Sequence, residues 1–210
     1  MEIIIATGNK GKMTEFARML SPAGFKLLSL DDLGFGEEIA ETGQTFEENA
    51  FIKAFHVSRK FKKSKPILAD DSGLCVDVLD GKPGLYSSRF GGDITNLERV
   101  EKLLDLMSDV PVAKRSAHFV CCLCFIADIS GISSFEQAKK APGQVFFFSA
   151  RCNGSIAFSK RGTDGFGYDQ IFSINGKTLA EMASDEKDTV SARAKALKKF
   201  VAACGQIHDE

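Results

Sequence analysis

The run Ile67-Leu68-Ala69-Asp70-Asp71-Ser72-Gly73-Leu74 constrains this chain more than any other stretch. The apolar residues after Pro66 predict a buried strand, and it ends in two adjacent carboxylates, a hydroxyl and a glycine. Neighbouring strand side chains point to opposite faces, so Asp70 and Asp71 are not expected to be buried alike, and one of them should face a cleft. Carboxylates on a rigid strand end can hold a hard cation or orient a water. The plainer alternative is a turn in which one of the two caps backbone amides.

The chain before this run supplies phosphate-binding elements. An apolar strand, Glu2-Ile3-Ile4-Ile5-Ala6, leads through Thr7-Gly8-Asn9-Lys10-Gly11-Lys12 into a helical pattern with Met13, Phe16, Met19 and Leu20 on one face, stopped by Ser21-Pro22-Ala23-Gly24. A strand, a glycine-containing turn and a helix N-terminus make an anion site, because backbone amides point outward and the helix dipole favours negative charge. Lys12 adds a mobile cation; the P-loop pattern itself is absent. A second strand over 25–30 precedes an acidic loop that ends in Glu41-Thr42-Gly43. Thr45-Phe46-Glu47-Glu48 then has the form of a capping box, predicting a helix to about Lys60. Helical spacing puts Phe46, Asn49, Ala50, Lys53 and Val57 on one face. A lysine in that stripe either snorkels past its neighbours or meets an anion, and Glu41 is a candidate to meet the Asp71 region.

Beyond the Asp-Asp pair, residues 74–79 alternate as a strand, 80–84 form a turn, and 86–92 form an irregular loop able to fold over a ligand. Thr95-Asn96-Leu97-Glu98 opens a helix with Val100, Leu103, Leu104 and Met107 inward. Residues 116–158 read as an antiparallel, strand-rich section with hairpins at 128–131 and at Asn153-Gly154. In Gly165-Phe166-Gly167-Tyr168-Asp169, glycines between two aromatics leave the rings open for stacking on a planar group, with Asp169 free to hydrogen-bond its edge; core aromatics in a β-turn are the alternative. A last helix begins near Ser191, its N-cap, with Lys187 and Arg193 near its start.

Composition narrows the partners. At 210 residues, 44% hydrophobic and 26% charged, the chain can bury a sizeable core as one large domain or two lobes. A net charge of -1 offers nucleic acid no general attraction. No run is long enough to cross a bilayer, and the start has no basic region or cleavage pattern, so a cytoplasmic protein is expected. The six cysteines, Cys75, Cys121, Cys122, Cys124, Cys152 and Cys204, form no disulfide framework. Cys121 and Cys124 lie on a strand pointing to opposite faces, which suits buried thiols rather than zinc. His56, His118 and His208 are scattered and suggest no triad.

Cations with an amide-rich turn, acidic residues for a divalent ion and aromatics for a base together describe a nucleoside triphosphate site. In that site Mg²⁺ would bridge Glu41 and Asp71 to phosphate oxygens. The same motifs, in order, resemble the Ham1/RdgB family of inosine/xanthosine triphosphate pyrophosphatases: Thr7 to Lys12 with Glu15, Glu41-Thr42-Gly43 with 45–50 and Lys53, 69–74, Gly165 to Asp169, and Ser191 with Arg193. The resemblance spans essentially the whole chain, as a single domain over 1–210. It implies an elongated mixed α/β fold, a β-sheet flanked by helices, with a nucleotide cleft between two lobes and usually a homodimer. It implies Mg²⁺-dependent hydrolysis of deaminated-purine triphosphates (ITP, dITP, XTP) to monophosphate and pyrophosphate. Asp71 would be the general base and a Mg²⁺ ligand, with Glu41 assisting the metal. Thr7, Gly8, Asn9, Lys10, Gly11, Lys12, Lys53, Ser72, Lys187 and Arg193 would hold phosphate and sugar, and Phe166, Gly167, Tyr168 and Asp169 the base.

Two departures stand out. Ala192 replaces the histidine that bacterial members usually carry between serine and arginine, and losing a donor to a buried base oxygen costs roughly 1 to 3 kcal/mol. Gln170 replaces a proline after Tyr-Asp, which should loosen the base loop. The competing readings are a Maf-like pyrophosphatase of altered base preference, supported by Ala192 alone, and a catalytically silent nucleotide-binding regulator. Against the latter, a pure binder has no need of a water-activating carboxylate.

Overall fold

The computed structural model describes residues 1–61 and 65–207, without the side chains of 206 and 207; His208 lies outside the described residues. Seven strands form one mixed sheet in the order β2-β1-β3-β4-β5-β6-β7. They are β1 (Glu2–Ile5), β2 (Lys26–Ser29), β3 (Ile67–Val76), β4 (Ser116–Ile126), β5 (Val145–Ile156), β6 (Phe172–Ile174) and β7 (Lys177–Thr178). The helices are α1 (Lys10–Leu20), α2 (Phe46–Lys60), α3 (Asn96–Leu106), α4 (Phe135–Ala138), α5 (Ser184–Val190) and α6 (Ala192–Ile207). This is the mixed α/β architecture expected from the sequence. Two compact units are distinguished by their internal contacts: 1–71 with 121–150 and 196–210, and 72–120 with 151–195.

In the first unit β1 is parallel to both neighbours, with Ile4 opposite Leu28 on β2 and opposite Ile67 on β3. The chain therefore leaves β1 for β2 on one side, while β3 occupies the other. Such a reversal of strand order opens a crevice at the carboxyl ends of the strands. Ile5 pairs with Leu68, and the Ala6 amide donates to the Leu68 carbonyl at 2.8 Å. The turn at Thr7 is thus brought level with Asp70. Beneath it, Ile4, Ala50, Ala54, Val57, Ile67, Ala69 and Cys124 pack into one apolar core.

In the second unit β6 is antiparallel to β5 and to β7. Phe119 meets Phe172 edge-on at 4.8 Å between ring centres. Arg115, 1% exposed, donates to the carbonyls of Met107, Val110, Ile156 and Ala157 at 2.6–3.2 Å and stacks under Phe158. Its charge is thus spread over four backbone dipoles.

Several sequence expectations are corrected here. β3 does not end at the carboxylates; it runs through Asp70, Asp71, Ser72 and Gly73 to Val76, and 77–79 form a 3-10 turn rather than a strand. Flanking hydrophobic residues on both sides hold the polar centre extended. Asn153-Gly154 is not a hairpin but lies inside β5. A Cβ at Gly154 would strike the Ser173 carbonyl and the Phe172 ring, so this glycine permits close packing on β6. α5, which the sequence reading left without structure, contains the buried Lys187.

All six cysteines are reduced and buried. Burial pushes the thiols of Cys75, Cys152 and Cys204 up, that of Cys124 well up, and that of Cys122 to about 11. Alkylation at pH 8 should therefore be slow in the native protein and should reach six adducts only in denaturant. Rapid native labelling, read by mass spectrometry, would contradict this packing.

Candidate active site

Two clusters of polar side chains collect the residues singled out in the sequence, one in each unit. The first is built on β1, α1, α2 and β3. Asn9 caps α1, its Oδ1 accepting from the Lys12 amide at 3.0 Å, and Thr7 Oγ1 accepts from the Asn9 amide at 3.2 Å. The capped turn exposes Gly8, Asn9 and Lys10 and half-buries Thr7, Gly11 and Lys12. Lys12 Nζ forms an ion pair with Asp70, whose carboxylate is fully buried. The thiol of Cys121 lies 3.4 Å from Asp70 Oδ2, a neighbour with no signature in the local pattern.

α2 starts at Thr45, whose hydroxyl accepts from the Glu48 amide at 3.1 Å. Glu48 reaches back one residue further than a capping box requires, to the Gln44 amide at 2.8 Å. Lys53, 9% exposed, does not snorkel. Its Nζ donates to Glu41 Oε1 at 2.6 Å and to Asp71 Oδ1 at 2.9 Å. Glu41 and Asp71 are thus brought together by a shared cation. Asp70 and Asp71 are both buried, at 1% and 5% exposure, against the expectation that they would differ. Alternation along β3 holds: each faces its own lysine, and pairing makes both burials tolerable.

Burial pushes the Asp71 carboxyl above the usual aspartate range, and the Glu41 charge pushes it the same way; Lys53 opposes both without cancelling them. For Lys53, burial works against the charge, but the fields of Asp71, Glu41 and Asp70 hold its pKa above the ordinary value. Asp71 Oδ2 is buried with no hydrogen-bond partner among the described residues. A buried carboxylate oxygen left without a donor is a place for a cation or a polarised water. Among the described residues no three histidine, cysteine or acidic side chains converge to hold a metal alone. Two hard carboxylates completed by ligand oxygens is the manner in which Mg²⁺ is bound, so the donor set fits that ion.

The second cluster joins the loop at 162–170 to β3 and to the starts of α5 and α6. Asp169, 5% exposed, accepts on Oδ2 from the Phe166 amide at 2.8 Å and from Lys187 Nζ at 2.7 Å. Gly165 has φ +77°, and a Cβ there would run into the Asp169 carboxylate. Phe166 is half-buried, with the Lys187 ammonium 5.2 Å and the Arg193 guanidinium 5.7 Å from its ring centre. Arg193 also donates to Ser72 Oγ at 2.9 Å. Ser191 Oγ accepts from the Ala194 amide at 3.2 Å, capping α6, and Ala192 is buried as its first residue.

Three readings of this loop change. Tyr168 is not an open stacking platform: it is 5% exposed, and its hydroxyl donates to the Ser87 carbonyl at 3.0 Å. Of the two rings, only Phe166 is partly open. Gly167, at φ +59°, begins the 3-10 turn that tucks Tyr168 inward. Asp169 spends one oxygen on anchoring Lys187 and the loop backbone. Gln170 does not loosen the loop either; its side-chain amide donates to the Gly162 carbonyl at 3.1 Å and ties the loop's two ends. Ser87 was missed because nothing local marks it; its hydroxyl accepts from the Leu74 amide at 2.9 Å while its carbonyl receives Tyr168.

Comparison with known proteins places the chain among characterised relatives. The Ham1 family model matches residues 3–203. A dITP/XTP pyrophosphatase of Bacillus licheniformis is 46% identical over 98% of this chain and 98% of its own. The dITP/XTP pyrophosphatase of Bacillus subtilis is 44% identical over 95% and 94%. Among solved structures, a Ham1 protein from Coxiella burnetii superposes with TM-score 0.81 at 32% identity, covering 98% of this chain and 99% of that one. A Staphylococcus aureus Ham1 protein gives 0.78 at 32% identity over the same shares.

Proposed function

Because the chain belongs to the Ham1 family, we propose that it is a dITP/XTP pyrophosphatase, hydrolysing deaminated-purine triphosphates to the monophosphate and pyrophosphate. The observation that carries this reading is Lys53 held between Glu41 and Asp71, with Asp71 Oδ2 buried and without a donor among the described residues. A pure nucleotide binder has no use for such a carboxylate; a hydrolase does.

Glu41 and Asp71 are the residues that would hold Mg²⁺, which when bound draws charge off phosphate oxygens. Asp71, its proton affinity raised by burial, accepts the proton of the attacking water as the bond between the α- and β-phosphates breaks. Lys53 keeps Asp71 ionised and, with Lys10, Lys12 and the Thr7 to Gly11 turn, faces phosphate oxygens. Asp70 positions Lys12. Ser72, Lys187 and Arg193 hold phosphate and sugar. Phe166, with Gly167, Tyr168 and Asp169 shaping its loop, takes the base, and Ala192 leaves an apolar wall where a polar side chain would otherwise point. The whole chain acts as one functional domain, as a cytoplasmic homodimer; no described helix is long and apolar enough to cross a membrane.

The test is pyrophosphate release from ITP, dITP, XTP, GTP, ATP and the pyrimidine triphosphates, with Mg²⁺ present or chelated. The expected result is metal-dependent release with strong preference for ITP, dITP and XTP. A flat or pyrimidine-biased profile would retain the hydrolysis and overturn the base assignment. Tight binding without release would point to a regulator.

A further inference from the structure

Asn49 lies on α2 one turn before Lys53, on the same face, and is fully buried. Its Oδ1 accepts the Gly43 amide proton at 2.8 Å. Its Nδ2 has no hydrogen-bond partner among the described residues. A leucine of similar size would remove the orphaned Nδ2 but would also take the acceptor from the Gly43 amide, so the side chain is kept for what its Oδ1 holds.

The loop that Asn49 holds leads to the carboxylate cluster. A Cβ on Gly43 would lie 2.7 Å from Asn49 Oδ1 and 2.9 Å from Glu48 Cγ, so only glycine lets the backbone come this close. The next amide, of Gln44, is fixed by Glu48 Oε2 at 2.8 Å. Two residues before Gly43, Glu41 reaches Lys53 Nζ at 2.6 Å. The loop is thus pinned to the first turns of the helix that also carries Lys53, and pinning limits how far the Glu41 carboxylate can wander. We propose that Asn49 is a positioning residue for the hydrolysis: by accepting the Gly43 amide proton, it sets the loop that presents Glu41 to Lys53 and Asp71. The inference rests on the reading of Glu41 as a metal-holding carboxylate.

The test is a double-mutant cycle on pyrophosphate release, using the unsubstituted enzyme, Asn49→Ala, Glu41→Gln and the pair, together with hydrogen exchange of the Gly43 amide. Asn49→Ala should lower kcat/KM by about ten- to a hundredfold alone and by less than about threefold in the Glu41→Gln background, since coupled residues are not additive. Gly43 exchange should accelerate at least about tenfold while core amides of α2 stay protected. Equal losses in both backgrounds, no loss at all, or unchanged exchange at Gly43 would each overturn the proposal. Should Asn49→Ala fold poorly, Gly43→Ala crowds the same contact from the other side and must reproduce the coupling to Glu41. If the unsubstituted enzyme released no pyrophosphate from any triphosphate, the functional reading would fail and this one with it. That result is distinct from an active enzyme whose losses simply add.

Discussion

Asp71→Asn is expected to reduce turnover by at least about a thousandfold, or about 4 kcal/mol of barrier, while the protein still binds a triphosphate. Asparagine preserves the shape and keeps an acceptor for Lys53 Nζ, which lies 2.9 Å from Asp71 Oδ1. It removes the negative charge and the proton-accepting oxygen that has no donor among the described residues. Binding should survive because the Asn9 turn, Lys12 and Lys53 are untouched. The measurement pairs pyrophosphate release with equilibrium titration of a non-hydrolysable triphosphate. The pH profile of kcat/KM gives a second arm. Burial holds the Asp71 carboxyl above the ordinary range, so below that raised value it is protonated and cannot accept a proton. Activity should then rise with pH through a window above the usual aspartate range. An active Asp71→Asn enzyme would remove Asp71 from the role of base.

Much of this site was legible because its residues sit on short, regular elements. The 3.6-residue period placed Asn49 and Lys53 on the buried face of α2, where both lie. The turn after β1 with Asn9 and Lys12 was visible as a strand, a glycine turn and a helix start, and the helix is present, with Asn9 as a cap that only the structure shows. The identity of Lys53's partner was only half visible: an anion was one of two options, and the two that met it lie 12 and 18 residues away. Local pattern gives a face, not a partner.

The misreadings share a physical cause. Asp-Asp-Ser-Gly has the composition of a turn, and Asn-Gly that of a hairpin, yet both lie inside strands because tertiary pairing outweighs local preference. Tyr168 was judged by the openness of a glycine-rich loop, and Gln170 by the proline it replaces. Their partners, the carbonyls of Ser87 and Gly162, are backbone groups, and a sequence carries no signal for a particular carbonyl. Asp70 was left between a cap and a catalytic role, and its pairing with Lys12 follows from the register that puts Ala6 beside Leu68. What sequence reading lacked was therefore mostly register and long-range backbone contact.

Lys53→Met should cost about 3 to 5 kcal/mol of stability at neutral pH, in addition to losing most triphosphate affinity, because it leaves two carboxylates facing each other without their cation. Methionine keeps most of the apolar stem, so packing alone predicts a small change. Without Lys53, burial and the Glu41 charge both drive the Asp71 pKa further up from a value already raised. A folded-state pKa above that of the unfolded chain means the folded state binds the extra proton. Stability of the variant should then fall as pH rises through the window between the usual aspartate range and the raised value. Because Asp71 is raised in both proteins, the deficit relative to the unsubstituted protein should shrink as the pH is lowered through the interval between the variant's higher Asp71 pKa and the unsubstituted protein's own. Glu41→Gln added to Lys53→Met removes one of the two facing charges and should restore part of the stability without restoring activity. Urea unfolding of the four proteins at several pH values measures all of this. A deficit independent of pH and unrelieved by Glu41→Gln would mean that Lys53 serves the fold as a packed stem, and that the charge balance of the cluster lies elsewhere.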